Sequence, residues 1–141
     1  MANEVTVNVS LQVRKGNLVY RSQPTVFRAD MDGTKGPSPG AITVTPLGTS
    51  VDFSELTTPG FCRLENLDTV NYVEYGILDN LGSVFYPLGE LLPGEITVIR
   101  LSRNIGESYP TTGTGTSASV NSLHFKSNTD DVVVVVEAFE K

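Results

Sequence analysis

The side chains that could support nucleophilic catalysis are few in this chain and far apart in the sequence. His124 is the only histidine and Cys62 the only cysteine, so any histidine-dependent triad within one subunit must use His124. Alternation along the flanking residues predicts that Cys62 faces inward, whereas His124 faces outward beside Lys126. We therefore interpret Cys62 as a small apolar core residue and His124 as an exposed strand residue, and expect no nucleophilic catalysis.

Two short acidic segments are the next candidates, in this case for calcium. The segment 30–33 reads Asp-Met-Asp-Gly, like the opening of a calcium loop, but Thr34 follows and no glutamate closes the loop. Asp130 and Asp131 are better explained as turn residues and as charges that guard the apolar strand after them. The chain has neither a Walker loop nor a G-x-G-x-x-G motif. The sequence thus predicts no catalytic, cofactor-binding or metal-ligating residues.

Composition limits the partners. The formal net charge is −6, and the ten Lys and Arg residues are scattered, so binding to a nucleic-acid backbone is not expected. No apolar run approaches the roughly 18 residues of a membrane-spanning helix, so no membrane partner is expected either. The first residues lack the basic segment and apolar run of a signal peptide, and we expect synthesis in a reducing cytoplasm.

The regular apolar patterns have the period of strands. Val5–Val13 alternates strictly, and a second strand beginning at Leu18 makes a hairpin that Pro24 interrupts with a bulge or an edge. A three-stranded meander is predicted from the segments Phe61–Leu67, Asn71–Leu78 and Ser83–Leu88. Shorter strands are predicted at Ile42 to Val44, at Val51–Leu56, at Ile96–Leu101, around Leu123 and Phe125, and at Val132–Phe139.

These strands predict the fold class. We expect an all-β, antiparallel two-sheet sandwich of about eight to ten strands, resembling a jelly roll, with a closed barrel as the alternative. Residues 1–141 are predicted to form a single domain. The segment 103–119 is long for a connection and rich in Gly, Thr and Ser, which indicates a mobile or contact loop outside the core.

The final strand indicates an interface. Val132, Val133, Val134, Val135 and Val136 are consecutive, so valines lie on both faces of the strand. A half-exposed antiparallel sheet needs only one apolar face. Either loops of the same subunit or a second subunit must cover the other face. We expect a second subunit and assign Tyr109 to the same interface, which implies a homo-oligomer.

The middle of the chain carries a family resemblance. Its residues are Thr58-Pro59-Gly60-Phe61, Asn66-Leu67-Asp68-Thr69, Asn71-Tyr72-Val73-Glu74, Gly76, Tyr86-Pro87 and Pro93-Gly94-Glu95, with Leu47-Gly48-Thr49-Ser50 upstream. This pattern resembles small virion proteins encoded among the structural genes of tailed bacteriophages.

The resemblance implies a small β-sandwich present in many copies on a phage particle, with no catalytic activity. The expected role is a capsid decoration protein, made in the host cytoplasm and located in the virion. Its expected partners are further copies of itself, as a trimer, and the major capsid protein. The alternative is a fibre-like or carbohydrate-binding receptor-recognition module, in which Tyr72, Phe85 and Tyr109 stack on sugars. A glycan hydrolase is the enzyme reading, although no carboxylate pair is singled out.

Overall fold

The computed structural model describes residues 3–79, 83–106, 108–110 and 118–141, with only the backbone described at 108–110 and 118–120. The chain divides into two compact units, Met1–Asp32 and Gly33–Lys141. The described residues form thirteen strand segments and no helix, so the protein is all-β as predicted. In the first unit, the strands pair with one another, and the prediction that residues 1–141 form a single sandwich domain stays a prediction.

The first unit is a two-stranded antiparallel ribbon. Its strands are β1 (Val5–Val9), β2 (Gln12–Lys15), β3 (Leu18–Arg21) and β4 (Thr25–Ala29). β1 pairs with β4, and β2 pairs with β3, so the ribbon is one long hairpin with its tip at Gly16. Gly16 has φ +56°, a conformation that glycine adopts without steric cost. We call this ribbon the arm.

The predicted bulge lies in the middle of the arm. The outer ladder ends where Val9 pairs with Thr25, and the inner ladder begins where Gln12 pairs with Arg21. Two residues separate the ladders on the outgoing strand, and three separate them on the returning strand. The returning strand therefore contains one extra residue in the segment that includes Pro24. Since a proline cannot donate a ladder hydrogen bond, the pairing breaks here into two ladders, which adds two strands to a count that is already above the eight to ten predicted.

The second unit holds the other nine strands. These are β5 (Ser38–Val44), β6 (Thr49–Ser50), β7 (Pro59–Asn66), β8 (Val73–Asp79), β9 (Val84–Leu91), β10 (Ile96–Arg100), β11 (Ser108–Pro110), β12 (Ala118–Ser127) and β13 (Val132–Glu140). One sheet has the order β10-β7-β13-β5, and the other has the order β11-β12-β8-β9, with β6 also paired to β12. All pairings are antiparallel.

The strand order confirms the jelly-roll sandwich. The first strand of the unit, β5, lies beside the last, β13, in one sheet. The second strand, β6, lies beside the second-to-last, β12, in the other sheet. Apart from the hairpins β8–β9 and β11–β12, successive strands alternate between the two sheets around a shared core, as in a jelly roll.

The core lies between the two sheets. Val134, Val136 and Leu64 point into it from one sheet, and Phe125 and Val73 point into it from the other; all five are fully buried. Side chains alternate between the two faces of a strand, so one apolar face per strand suffices to close this core.

Two strand predictions are wrong. The segments around Leu64 and Val73 were expected to be neighbours in a meander, yet β7 and β8 lie in different sheets. Only β8 and β9 form the predicted hairpin. The strand predicted at Val51–Leu56 is absent: β6 ends at Ser50, and residues 54–58 are turns and bends. Val51 and Leu56 are nevertheless buried, which explains why their apolar pattern looked like a strand.

Candidate functional site

The clearest candidate for a binding surface is the solvent side of the sheet that contains β13. The alternation of each strand places twelve side chains on it, and we call this set the outer sheet face. Its members are Pro39, Ala41, Thr43, Phe61, Arg63, Glu65, Ile96, Val98, Arg100, Val133, Val135 and Glu137. Ile96, Val98 and Val133 are exposed, so the surface combines apolar side chains with a central charged group.

The charged group is an ion-paired arginine between two carboxylates. Arg63 Nη2 donates to Glu65 Oε2 at 2.6 Å, and Nη1 lies 3.6 Å from Glu137 Oε1. Register explains the arrangement, because Arg63 lies directly opposite both Glu137 and Val98. Arg100, on the same face and above the Phe61 ring, is a second cation, so two arginines balance two glutamates beside exposed valine and isoleucine side chains.

The valine run has two faces, as its alternation predicts. Val132, Val134 and Val136 are fully buried in the core, whereas Val133 is 43% exposed and Val135 is half-buried on the outer sheet face. Three of the five predicted interface residues therefore belong to the core of their own subunit. Tyr109 is paired with Ser119 through the backbone, and its side chain lies outside the described residues.

The prediction of an exposed His124 is wrong. The side chain does point away from the sandwich core, as alternation predicts, but it is only 7% exposed. Its Nδ1 lies 2.9 Å from the Ser50 hydroxyl, and its ring is 5.1 Å from the ring of Phe85. Gly48, with φ +105°, packs so closely that a Cβ there would collide with Nε2. A turn and a neighbouring strand thus cover a face that the sequence pattern marked as exposed.

The surroundings of His124 favour its neutral form. Burial, and secondarily the charge of Lys126, lower its pKa below the ordinary value. Ser50 Oγ, its partner, also lies 3.2 Å from Ser122 Oγ. A catalytic serine–histidine pair needs a third group that orients the imidazole. Here the second ring nitrogen faces the Gly48 backbone, so we interpret the cluster as structural.

Cys62 lies inward, as predicted. It is 1% exposed, and burial, aided by the negative charge of Glu137, raises the pKa of its thiol to about 12. The thiolate is the reactive form of cysteine, so this side chain is unreactive at neutral pH.

The motif Asn66-Leu67-Asp68 is a hydrogen-bonded corner. Asn66 is fully buried, and its Nδ2 donates to the carbonyl oxygens of Asn71 (2.9 Å) and Leu91 (3.1 Å). Its Oδ1 accepts a hydrogen bond from the Asp68 backbone N–H at 2.9 Å. Asp68 Oδ1 in turn accepts from the N–H groups of Val70 and Asn71, which lower its pKa. This network fixes the connection between the two sheets.

Several residues that carry the family resemblance therefore serve packing. A Cβ at Gly76 would collide with the backbone of β9 at the Tyr86 carbonyl, so only glycine fits where the two strands meet. Together with Gly48 and Asn66, Gly76 determines the sandwich and does not form a binding site. The resemblance in these positions concerns the fold.

The segment 103–119 is only partly the loop that was predicted. Ser108–Pro110 and Ala118–Val120 pair as strands, and Ile105 packs against the core. The core contact contradicts the expectation that the whole segment lies outside the core. Glu107 and residues 111–117 lie outside the described residues. The prediction of a mobile or contact loop in that part of the chain therefore falls outside the described residues as well.

The aromatic residues proposed for sugar stacking differ in their exposure to solvent. Tyr72 is exposed, whereas Phe85 is partly buried against His124. The side chain of Tyr109 is not described. The structure therefore brings no pair of these aromatic rings together as a described platform.

In the described part of the chain, no group of three or more His, Cys, Asp and Glu side chains could hold a metal ion. The same residues include no helix long and apolar enough to span a membrane. Comparison with protein-family models, curated proteins and solved structures gave no match to this chain.

The charge distribution is a feature that the sequence interpretation missed. Residues 5–29, the arm, contain four Lys or Arg and no Asp or Glu. Residues 33–141 contain six Lys or Arg against thirteen Asp or Glu, a net charge of −7. Counting charge along the chain would have found this asymmetry, but scattered single cations do not form a recognisable basic run.

Proposed function

We propose that this chain is a non-enzymatic structural protein of a tailed-phage virion that binds the outside of the capsid as a decoration protein. The resemblance of the central segment to small virion proteins supports the proposal, and so does the jelly-roll sandwich, a fold used in viral capsid proteins. The major capsid protein is the proposed partner, and a trimer is the proposed assembly.

The observation that carries the proposal is the outer sheet face. Exposed Ile96 and Val98 lie on β10 and exposed Val133 lies on β13, on either side of Arg63 and Glu65 of β7. Exposed apolar side chains arranged around a polar group are a composition found at protein–protein interfaces. A protein that covers a shell in many copies needs such a surface to contact its neighbours.

The test is binding to heads of the phage that encodes the chain. Heads stripped of this protein are mixed with the labelled, purified chain and sedimented, and bound protein is counted per head. We expect saturable binding at a copy number set by the capsid lattice. Heads that retain their own copies are the matched control and should bind little added protein. Absence of sedimentation with stripped heads, at concentrations where the chain is folded, would overturn the proposal.

A further inference from the structure

One face of the arm is largely apolar and exposed. It results from the alternation of apolar and polar side chains along the strands of the arm. Val13 lies opposite Tyr20, and Val7 lies opposite Phe27, so each pair shares one face. The face comprises the apolar Val5, Val7, Val9, Leu11, Val13, Leu18, Tyr20, Phe27 and Ala29, together with Thr25 and, near the tip, Lys15. Leu11 is 57% exposed and Tyr20 is 53% exposed, which is the exposure of surface residues and not of a core.

A two-stranded ribbon cannot bury such a face by itself. An isolated hairpin is marginally stable in water, and a hydrophobic face on a sheet requires a third strand or a second layer. Both strands of the arm are also edge strands. The arm therefore has the properties of a segment that is completed by another surface.

Charge selects among the possible surfaces. Two arms carry the same sign, since each has four cations and no anion between residues 5 and 29. The sandwich units of two copies likewise repel each other, because residues 33–141 of each copy have a net charge of −7. An arm and a sandwich attract. A polyanionic nucleic acid would satisfy the cations, but it would leave the apolar face uncovered and meet the acidic sandwich.

The outer sheet face has the matching chemistry. Its exposed valine and isoleucine side chains offer apolar contact and its own charges balance, so the negative charge that attracts the arm is that of residues 33–141 as a whole. Arg14, Arg21 and Arg28 lie on the opposite face of the arm from Val13. Their main effect is thus long-range attraction during association, whereas the apolar contact holds the complex together.

We propose that the arm of one copy lies with its apolar face on the outer sheet face of a second copy. The contact joins unlike surfaces, so it gives a ring where the rotation between successive copies closes, and a trimer would contain three such contacts. Both surfaces belong to this chain, and the inference does not depend on capsid binding.

The test uses the full chain, with one charged substitution on each surface and a matched control. Val13→Asp lies on the apolar face of the arm, and Val19→Asp makes the same change on its opposite face. Val133→Lys lies on the outer sheet face, and Val84→Lys changes a valine of equal exposure, 43%, on the edge strand β9. Circular dichroism confirms that each variant is folded, and sedimentation velocity measures its mass.

The expected result is a loss of association in both interface variants. Val13→Asp and Val133→Lys should each weaken self-association by about tenfold or more, whereas Val19→Asp and Val84→Lys should change it by about twofold or less. Raising the salt concentration from about 0.05 to about 0.5 M should weaken association of the wild type, because it screens the attraction between arm and sandwich.

Mixing the two interface variants decides which surfaces meet. Each retains one intact surface, so an equimolar mixture of Val13→Asp and Val133→Lys should form complexes that neither variant forms alone. A wild type that is monomeric at all concentrations would overturn the proposal. So would a mixture that stays monomeric, because the mixture contains one intact copy of each proposed surface. Self-association of either variant alone would indicate contact between like surfaces and would also overturn the proposal. A chain that self-associates in this way but does not bind phage heads would overturn only the capsid proposal.

Discussion

The arm and the sandwich are built from the same kind of strand, but only the sandwich buries its apolar face. Apolar side chains alternate with polar ones in the arm strand Val5–Val9, and they are consecutive at the start of the sandwich strand Val132–Glu140. Both strands belong to antiparallel ladders. In the sandwich, Val134 is fully buried by the opposite sheet, whereas in the arm Leu11 is mostly exposed. The difference shows that alternation specifies a face and that a second layer decides whether the face becomes a core.

The consequence is an uneven distribution of stability. Buried apolar contacts and satisfied buried polar groups concentrate in residues 33–141, so substitutions there should have large effects. Equivalent substitutions in the arm should have small effects on the stability of a single subunit. Three comparisons between the regions test this expectation.

The largest difference is expected for aromatic side chains. Phe125→Ala removes a fully buried ring between the sheets and should lower the free energy of unfolding by roughly 3–5 kcal/mol. Tyr20→Ala removes a half-exposed ring from the arm and should cost roughly 0.5 kcal/mol or less in the dissociated subunit. Urea denaturation of dilute protein measures both. Equal losses would mean that the arm is packed as well as the sandwich.

A smaller difference is expected for asparagine. Asn66→Ala removes three hydrogen bonds and leaves the carbonyls of Asn71 and Leu91 without this donor, which should cost about 1–3 kcal/mol. Asn8→Ala, on the exposed polar face of β1, is the matched control and should be close to neutral. Thermal denaturation followed by circular dichroism separates the two. A neutral Asn66→Ala would contradict the structural role of this corner.

The smallest effect concerns pH and the sandwich alone, since the arm has no histidine. Burial lowers the pKa of His124 in the folded state, so the unfolded chain takes up its proton at a higher pH. The stability contributed by the neutral form is complete above the ordinary pKa of 6.5 and falls as the pH decreases from there through the folded-state pKa.

Denaturation curves between about pH 7.5 and about pH 5 measure this slope. His124→Gln should have a lower stability throughout and a shallower slope in this range. Asp68 and Glu140 also have lowered pKa values, but their contributions are lost at more acidic pH, below their ordinary values of 3.8 and 4.5. An unchanged slope in the variant would show that His124 does not titrate differently on folding.

Prediction from the sequence succeeded where local pattern and structure coincide. The alternation of Val132–Val136, the inward position of Cys62 and the bulge in the segment of Pro24 are each determined by a few neighbouring residues. Strand period, side-chain direction and the missing proline N–H act within one or two residues, so no tertiary information is needed.

Prediction failed where distant segments meet. The sheet to which β7 belongs and the cover over His124 depend on contacts between remote parts of the chain. A one-dimensional pattern assigns His124 to the polar face but contains no signal that Gly48 and Phe85 will cover that face.

The sequence by itself determined that the chain is all-β, which residues share a strand face and how charge is divided between the arm and the sandwich. These properties follow from side-chain period and composition, which are local or additive. Only the tertiary structure decided which faces become core. Burial requires a second surface at the right distance, and the jelly-roll order supplies one for Val134 and Phe125, while the arm's valines and leucines remain exposed.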